Sequence, residues 1–272
     1  VDYFADLARH DDGRIVGVVR SPRHEVLPTG YEGTVDFADV LAKEVHVLGL
    51  LGEAGVPAPS VLAWQPRGHP QGISWMLCEY IDHQPTDELT EDQQNELGRI
   101  ARAIHSIHPG TTVGRPQDPW PTYVVGRITD RLRSAERYSP QLSVDAVLSR
   151  GVPHVPSSAQ STDSLLHLDL RPPNLCVREG RIAGVIDVAN AITGDPWLEL
   201  ARIRFCGLFT RAFQVGYGLS EAEIKHHERL LDFYELDIAA LLTVVAAEEI
   251  DDKELLEKSR DRLEQLCAQI VR

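Results

Sequence analysis

The apolar positions of this chain change their period along its length. Residues 2–8 alternate as a strand, 10–13 carry turn residues, and 14–20 return as an apolar hairpin partner ending at Arg20. Residues 39–51 switch to helical spacing, with Val40, Leu41, Val45, Val47, Leu48 and Leu51 apolar and Glu44 among them. Residues 67–72 read as a hairpin loop and 73–78 as an apolar strand. Thr90-Glu-Asp-Gln93 is a capping-box pattern, which predicts a helix running to about His108. A loop over 109–121 precedes a second helix over 122–138, and a Pro- and Ser-rich stretch covers 151–163. Leu165 and Leu166 lead into a polar loop. Residues 175–177 and 182–186 form two short strands around Glu179-Gly180-Arg181, and the chain is helical from Leu198 onward. The pattern divides into a small sheet-bearing lobe over 1–81 and a larger, mostly helical lobe over 82–272.

Composition narrows the classes without choosing among them. The 272 residues are 43% apolar and 25% charged, ordinary for a globular chain able to bury a sizeable core. No run approaches the roughly 20 apolar residues of a membrane helix, and 238–247 reads as a core helix. Cys78, Cys176, Cys206 and Cys267 are scattered, which predicts buried, reduced thiols in a cytoplasm and no disulfide frame or zinc site. The net charge of −14 speaks against nucleic acid as a partner. Much of it lies after Ser220, including Glu221, Glu223, Glu228, Asp232, Glu235 and Asp237. Those residues read as solvated helix faces, a few of which could wall a pocket for a cationic ligand. A monomer or weak dimer is expected.

The chemistry concentrates in His167-Leu-Asp169-Leu-Arg-Pro-Pro-Asn174, with Val185-Ile-Asp187 eighteen residues past the first aspartate. Taken singly, an Asp-to-Asn pair in a Pro-rich loop is an ordinary turn. Together the residues supply what phosphoryl transfer from a nucleotide asks for. One carboxylate orients an acceptor hydroxyl, while an amide oxygen and a second carboxylate hold Mg²⁺ against the phosphates.

This constellation resembles the aminoglycoside phosphotransferase-like kinases, a branch of the protein-kinase-like fold. The resemblance continues through Gly194-Asp195-Pro196 and Glu199-Leu-Ala, and upstream through Gly55-Val-Pro57-Ala-Pro59 opening a strand and Ile104-His105-Ser-Ile107 closing a helix. It implies an α+β fold of two lobes, a small antiparallel sheet and a helical lobe. It further implies an ATP- or GTP-dependent small-molecule kinase using Mg²⁺, with Asp169 as the base and Asn174 and Asp187 on the metal. Arg20, braced by Glu44, would grip the phosphates. The Glu79 carbonyl and Ile81 amide would read the nucleotide base. The family's small lobe opens with a further strand and a glycine-bearing loop, and Val1 already lies in what resembles the second strand.

The chain departs from the family at three loop positions. Leu168 stands where glycine or asparagine is usual, Arg171 where histidine is frequent, and Pro173 where glycine is common. Arg171 could reach the transferring phosphate, or pair with a nearby carboxylate. His167 is expected to bond nearby backbone, Asp195 to cap a helix, and Glu199 to cap or brace that helix start. The 1–23 region looks most like macrolide phosphotransferases, with 29–36 an insertion relative to them. An antibiotic hydroxyl is the leading acceptor, with metabolites such as homoserine or choline as alternatives. A nucleotide-binding pseudokinase and a metal-dependent hydrolase are the readings from other classes.

Overall fold

The computed structural model describes residues 3–29, 33–68, 72–157 and 162–272. Strands β1 (Tyr3–Arg9) and β2 (Ile15–Pro22) form the expected hairpin. With β5 (Val61–Gln65) and β6 (Trp75–Cys78) they make a four-stranded antiparallel sheet of order β1-β2-β6-β5. Helix α1 (Phe37–Glu53) backs the sheet through Leu41, Val47, Leu48 and Leu51, all buried. It starts two residues before the predicted 39, because the Asp36 carboxylate accepts from the amides of Ala38 and Asp39 and caps the helix there. The stretch 29–36, read as an insertion, contributes to a second hairpin, β3 (Val26–Thr29) with β4 (Gly33–Asp36); residues 30–32 lie outside the described residues. The predicted loop at 67–72 is described only at Arg67, Gly68 and Gly72.

Helices build the rest. Helix α2 (Glu91–His105) opens with the Thr90–Gln93 capping box, both reciprocal bonds present. It closes at His105 rather than His108, since the Ser106 hydroxyl turns back to the Arg102 carbonyl. Helix α3 (Trp120–Ala135) starts ahead of the predicted 122 with Pro121 in its first turn, where a missing N–H costs nothing. Helix α4 (Val144–Gly151) follows. Short strand β7 (Ser164–Leu166), the hairpin β8 (Leu175–Arg178) and β9 (Arg181–Val185), and β10 (Ile192–Gly194) carry the polar loop. Helices α5 (Pro196–Phe205), α6 (Arg211–Tyr217), α7 (Glu221–His226), α8 (Glu228–Glu248) and α9 (Lys253–Val271) complete the chain. Helix α8 is the central element: Phe233, Tyr234, Leu236, Ala239 and Ala240 are buried where it packs on α3, α5 and α9. No described helix is long and apolar enough to cross a membrane. Three of the four free cysteines are buried as expected. Cys206 is exposed, because it sits at the carboxyl-terminal cap of α5.

Helices α2 and α6 meet backbone to backbone. A Cβ at Gly98 would lie 2.2 Å from the Phe213 carbonyl oxygen, and one at Gly216 would lie 1.9 Å from that of Asn95. Backbone cannot yield as a side-chain tip can. Gly216→Ala should therefore lower stability by about 1–3 kcal/mol, read as a reduced urea midpoint with unchanged slope.

Candidate active site

The polar loop is held from behind. His167 uses both ring nitrogens on backbone: Nδ1 accepts from the Asp169 amide at 3.2 Å, and Nε2 donates to the Ile186 carbonyl at 3.1 Å. The buried Glu199 carboxylate accepts from the amides of His167 and Leu168 at 2.9 and 2.6 Å, and from His105 Nε2 at 2.8 Å. Burial alone would raise the Glu199 pKa, but these donors and the nearby histidines outweigh it and hold it below the ordinary value. Leu168 has φ 63°, a left-handed conformation that costs an ordinary residue about 1–2 kcal/mol. Glu199 on its N–H, Arg202 NH1 on its carbonyl and the burial of its side chain together offset that strain. Glycine or asparagine adopts the same conformation at lower cost, so the departure from the family changes the residue without requiring a new backbone path.

Asp169 is engaged on both oxygens. Arg171 Nε donates to Oδ1 at 2.9 Å, and Asn174 Nδ2 donates to Oδ2 at 2.6 Å and to the Asp169 carbonyl at 2.9 Å. The Asn174 amide nitrogen is thus committed to Asp169, which leaves its Oδ1 as the end available to a cation. The Ile186 amide donates to the Asn174 carbonyl at 3.0 Å, tying the loop to the segment that presents Asp187. Asp187 itself is left-handed, with φ 62°, and its side chain is 44% exposed.

Arg20 reaches the same place from β2. Its NH1 donates to Glu44 Oε2 at 2.5 Å, its NH2 stands 3.6 Å from Asp187 Oδ1, and its guanidinium lies 4.8 Å from the centre of the Tyr3 ring. Glu44 is fully buried, and among the described residues its Oε1 has no hydrogen-bond partner. Burial pushes its pKa from 4.5 up to about 7, with Arg20 pulling the other way. The sign follows from proton uptake. Between about 4.5 and about 7 the folded state holds a proton that the unfolded chain has released, so the Glu44 contribution to stability falls as pH rises through that window. Glu44→Gln should remove that slope from urea midpoints measured across the window.

A cavity of about 570 Å³ lies between these groups. Arg20, Glu44 and Met76 form one wall, Asn174, Ile186 and Asp187 the other, and Glu79, Tyr80 and Ile81 line its back. The Glu79 amide donates to the Ser60 carbonyl, and the Ile81 carbonyl accepts from His83. Among the described residues, the Glu79 carbonyl and Ile81 amide make no hydrogen bond, so both are available to a planar ligand edge. Six of the eight predicted residues therefore border one cavity: Arg20, Glu44, Glu79, Ile81, Asn174 and Asp187. Asp169 and Arg171 lie outside its lining and join it through Asn174. Among the described residues, no three His, Cys, Asp or Glu side chains converge as a metal site. A cation held by Asn174 and Asp187 would share its coordination with phosphate and water, as Mg²⁺ does.

Among the described residues, none of the carboxyl-terminal acids lines the cavity beside Arg20 and Asp187; Glu228 and Asp232 line a separate, smaller one of about 180 Å³. Glu235 is fully buried between Arg204 and Arg262, and Asp237 is fully buried with Arg127 and Arg131, at 2.8 Å from each. Asp232 pairs with Arg204, while Glu223 and Asp252 cap helices. Burial alone would raise Asp237, yet Arg127, Arg131 and Arg202 hold it well below the usual carboxylate range. Sequence reasoning found Asp195, which caps α5 through the Trp197 amide at 3.1 Å, and Glu199 as a brace. It missed Tyr3 under Arg20, and Arg202 on the Leu168 carbonyl. Neither has a local signal.

Solved structures share this architecture at low identity. The GDP complex of a mutant aminoglycoside 2'-phosphotransferase-IIIa aligns with a TM-score of 0.66 and 17% identity, covering 98% of this chain and 89% of that one. A thermostable aminoglycoside phosphotransferase APH(4)-Ia mutant, in ternary complex with AMP-PNP and hygromycin B, aligns at 0.63 and 17% over 98% and 93%. The macrolide 2'-phosphotransferase MphH from Brachybacterium faecium aligns at 0.57 and 16% over 97% and 88%. No curated protein sequence matches the chain significantly. The profile of the phosphotransferase enzyme family (APH) matches residues 31–233, three quarters of the chain. With the kinase-like fold and the loop geometry above, that match shows that the chain belongs to the phosphotransferase enzyme family.

Proposed function

We propose that this phosphotransferase moves the terminal phosphoryl group of ATP or GTP onto a hydroxyl of a small molecule, an antibiotic of aminoglycoside or macrolide type. The carrying observation is the convergence of Arg20, Asn174 and Asp187 on one cavity, with Asp169 joined to it through Asn174. Residues 1–81 would hold the nucleotide and 82–272 the catalytic loop and acceptor. The apolar walls and the open Glu79 carbonyl and Ile81 amide suit a purine base. Asn174 Oδ1 and the Asp187 carboxylate would hold Mg²⁺, which when bound neutralises and aligns the phosphates. Asp169 would orient the acceptor hydroxyl and take its proton. Arg171 donates to Asp169 Oδ1 in this structure; that oxygen keeps a second lone pair for the acceptor hydroxyl, and the guanidinium beside it would meet the phosphoryl charge. The neighbours named above, from an aminoglycoside complex to a macrolide kinase, support the antibiotic reading.

The ion pairing of Glu235 and Asp237 removes one argument for an amine-bearing antibiotic, and so keeps a small metabolite as the second reading. Product formation from a panel of hydroxylated antibiotics and of metabolites such as choline and homoserine, with ATP and GTP in parallel, separates the two. Arg20→Met should raise the nucleotide KM by about tenfold or more and lower turnover, since a charge-assisted phosphate contact is lost. Unchanged kinetics would remove Arg20 from the nucleotide site.

A further inference from the structure

We infer that Tyr3 is a positioning residue for the nucleotide phosphates: its ring holds the Arg20 guanidinium to a single bond on Glu44 and so reserves Arg20 NH2 for an anion in the cleft. This rests on the phosphotransfer reading above. Among the described residues, Arg20 is the one arginine or lysine lining the nucleotide cavity, and His83, the one histidine there, is bonded to the Ile81 carbonyl at the back. The direction in which the Arg20 donors point therefore decides what the cleft can grip.

A guanidinium and a carboxylate left to themselves close a fork of two parallel bonds. Here NH1 donates to Glu44 Oε2, while the fully buried Oε1 has no hydrogen-bond partner among the described residues. Lys43, the neighbour of Glu44 in α1, lines a different cavity. Swinging NH2 onto Oε1 would remove the cost of an unpaired buried acceptor. NH2 instead stands 3.6 Å from Asp187 Oδ1, beyond hydrogen-bond length and beside the carboxylate assigned to the metal. Tyr3 opposes the swing. Its ring lies under the guanidinium, 4.8 Å from ring centre to Cζ, and turning the plane away would forfeit that cation–π contact. The contact follows from strand register. Arg20 pairs with Ala5 across the β1–β2 hairpin, which makes Tyr3 its diagonal neighbour on the same face. Tyr3 is itself fixed: it is buried, its hydroxyl donates to the Phe37 carbonyl at 3.3 Å, and its ring stands edge-on to that of Phe37 at 5.7 Å. A lysine has no plane to orient, so the ring and the arginine work as a unit.

The test needs no acceptor. Equilibrium binding of Mg-ATP, Mg-GTP, adenosine and guanosine is measured on the whole chain as wild type, Tyr3→Leu, Tyr3→Met, Tyr3→Phe, Arg20→Met and the double variant Tyr3→Leu with Arg20→Met. For the nucleotide that the wild type prefers, Tyr3→Leu and Tyr3→Met should each bind about 3–30-fold more weakly, the scale of a desolvated cation–π contact. The matching nucleoside, which has no phosphates, should bind both variants within about twofold of wild type. Tyr3→Phe keeps the ring and should recover most of the lost affinity. On the Arg20→Met background, Tyr3→Leu should add nothing, since the group it orients is gone. Unchanged Mg-nucleotide affinity in Tyr3→Leu, an equal loss of nucleoside binding, or an additive loss in the double variant overturns the role of Tyr3 and leaves the phosphotransfer reading standing. A wild type that binds neither Mg-nucleotide overturns that reading, and this inference with it.

Discussion

Asp169→Ala should lower phosphoryl transfer by about 10²–10⁴-fold, the usual contribution of a positioned proton acceptor, and leave nucleotide affinity within about twofold. The split is what identifies the role. Asp169 borders the nucleotide cavity only through Asn174, so its loss removes the partner of the acceptor hydroxyl while Arg20 and Asp187 stay in place. Asp169→Asn should behave alike, since an amide keeps the shape but has no useful basicity. Asp187→Ala should give the opposite division, weakening Mg-nucleotide binding itself. Single-turnover rates and equilibrium nucleotide binding, measured on all three variants, decide the matter. An Asp169→Ala variant that keeps a tenth or more of wild-type turnover would assign the base elsewhere.

Asp237→Asn should cost about 3–5 kcal/mol of stability, the scale seen when one partner of a buried charge cluster is removed. Its carboxylate ties Arg127 and Arg131 of α3 to α8, and lies 3.6 Å from Arg202 Nε of α5. With an amide there, three guanidinium groups share a site that has lost its negative charge. The pH dependence carries a defined sign. Asp237 is held below its ordinary value, so its contribution is complete above the unfolded pKa of about 4 and is lost as pH falls below it. Wild type should therefore weaken in acid along a component absent from Asp237→Asn. Because Arg202 also donates to the Leu168 carbonyl, the variant should lose turnover at denaturant concentrations where it is still folded. Equal urea midpoints for the two proteins at neutral pH would refute the cluster's importance.

Local signals made much of this molecule legible. The Asp169–Asn174 spacing, Asp187 at the end of a strand, the Thr90 capping box and the β1–β2 hairpin each depend on residues within a few positions of one another. So does Asp195 as a cap. The Arg20–Glu44 pair came from the family resemblance, which puts a basic residue at the end of such a strand and a glutamate on the next helix; periodicity supplied only the strand and the helix. Boundaries slipped where a cap lay outside the periodic run, as Asp36 does for α1 and Pro119 for α3. Glu235 and Asp237 were misread as part of a solvated face for a different reason. Glu235 and Asp237 sit among Leu, Phe and Tyr in α8, yet Glu235 pairs with Arg204 and Arg262, 31 and 27 residues away, and Asp237 with Arg127 and Arg131, more than 100 residues away. A long-range partner leaves no periodic trace, so the sequence shows only negative charge. Leu168 in a left-handed conformation was equally hidden, since the contacts that hold it come from α5.

The doubly bonded Asp169 has a consequence for selectivity against solvent. In this structure each carboxylate oxygen already accepts one hydrogen bond, from Arg171 on one and Asn174 on the other, so a passing water competes for the lone pair left on each. A lone water molecule brings too few contacts to be held in line there, whereas an acceptor anchored at several points is. Bound nucleotide in an enzyme so arranged should persist in the absence of acceptor, and its idle decay should be slow relative to productive transfer.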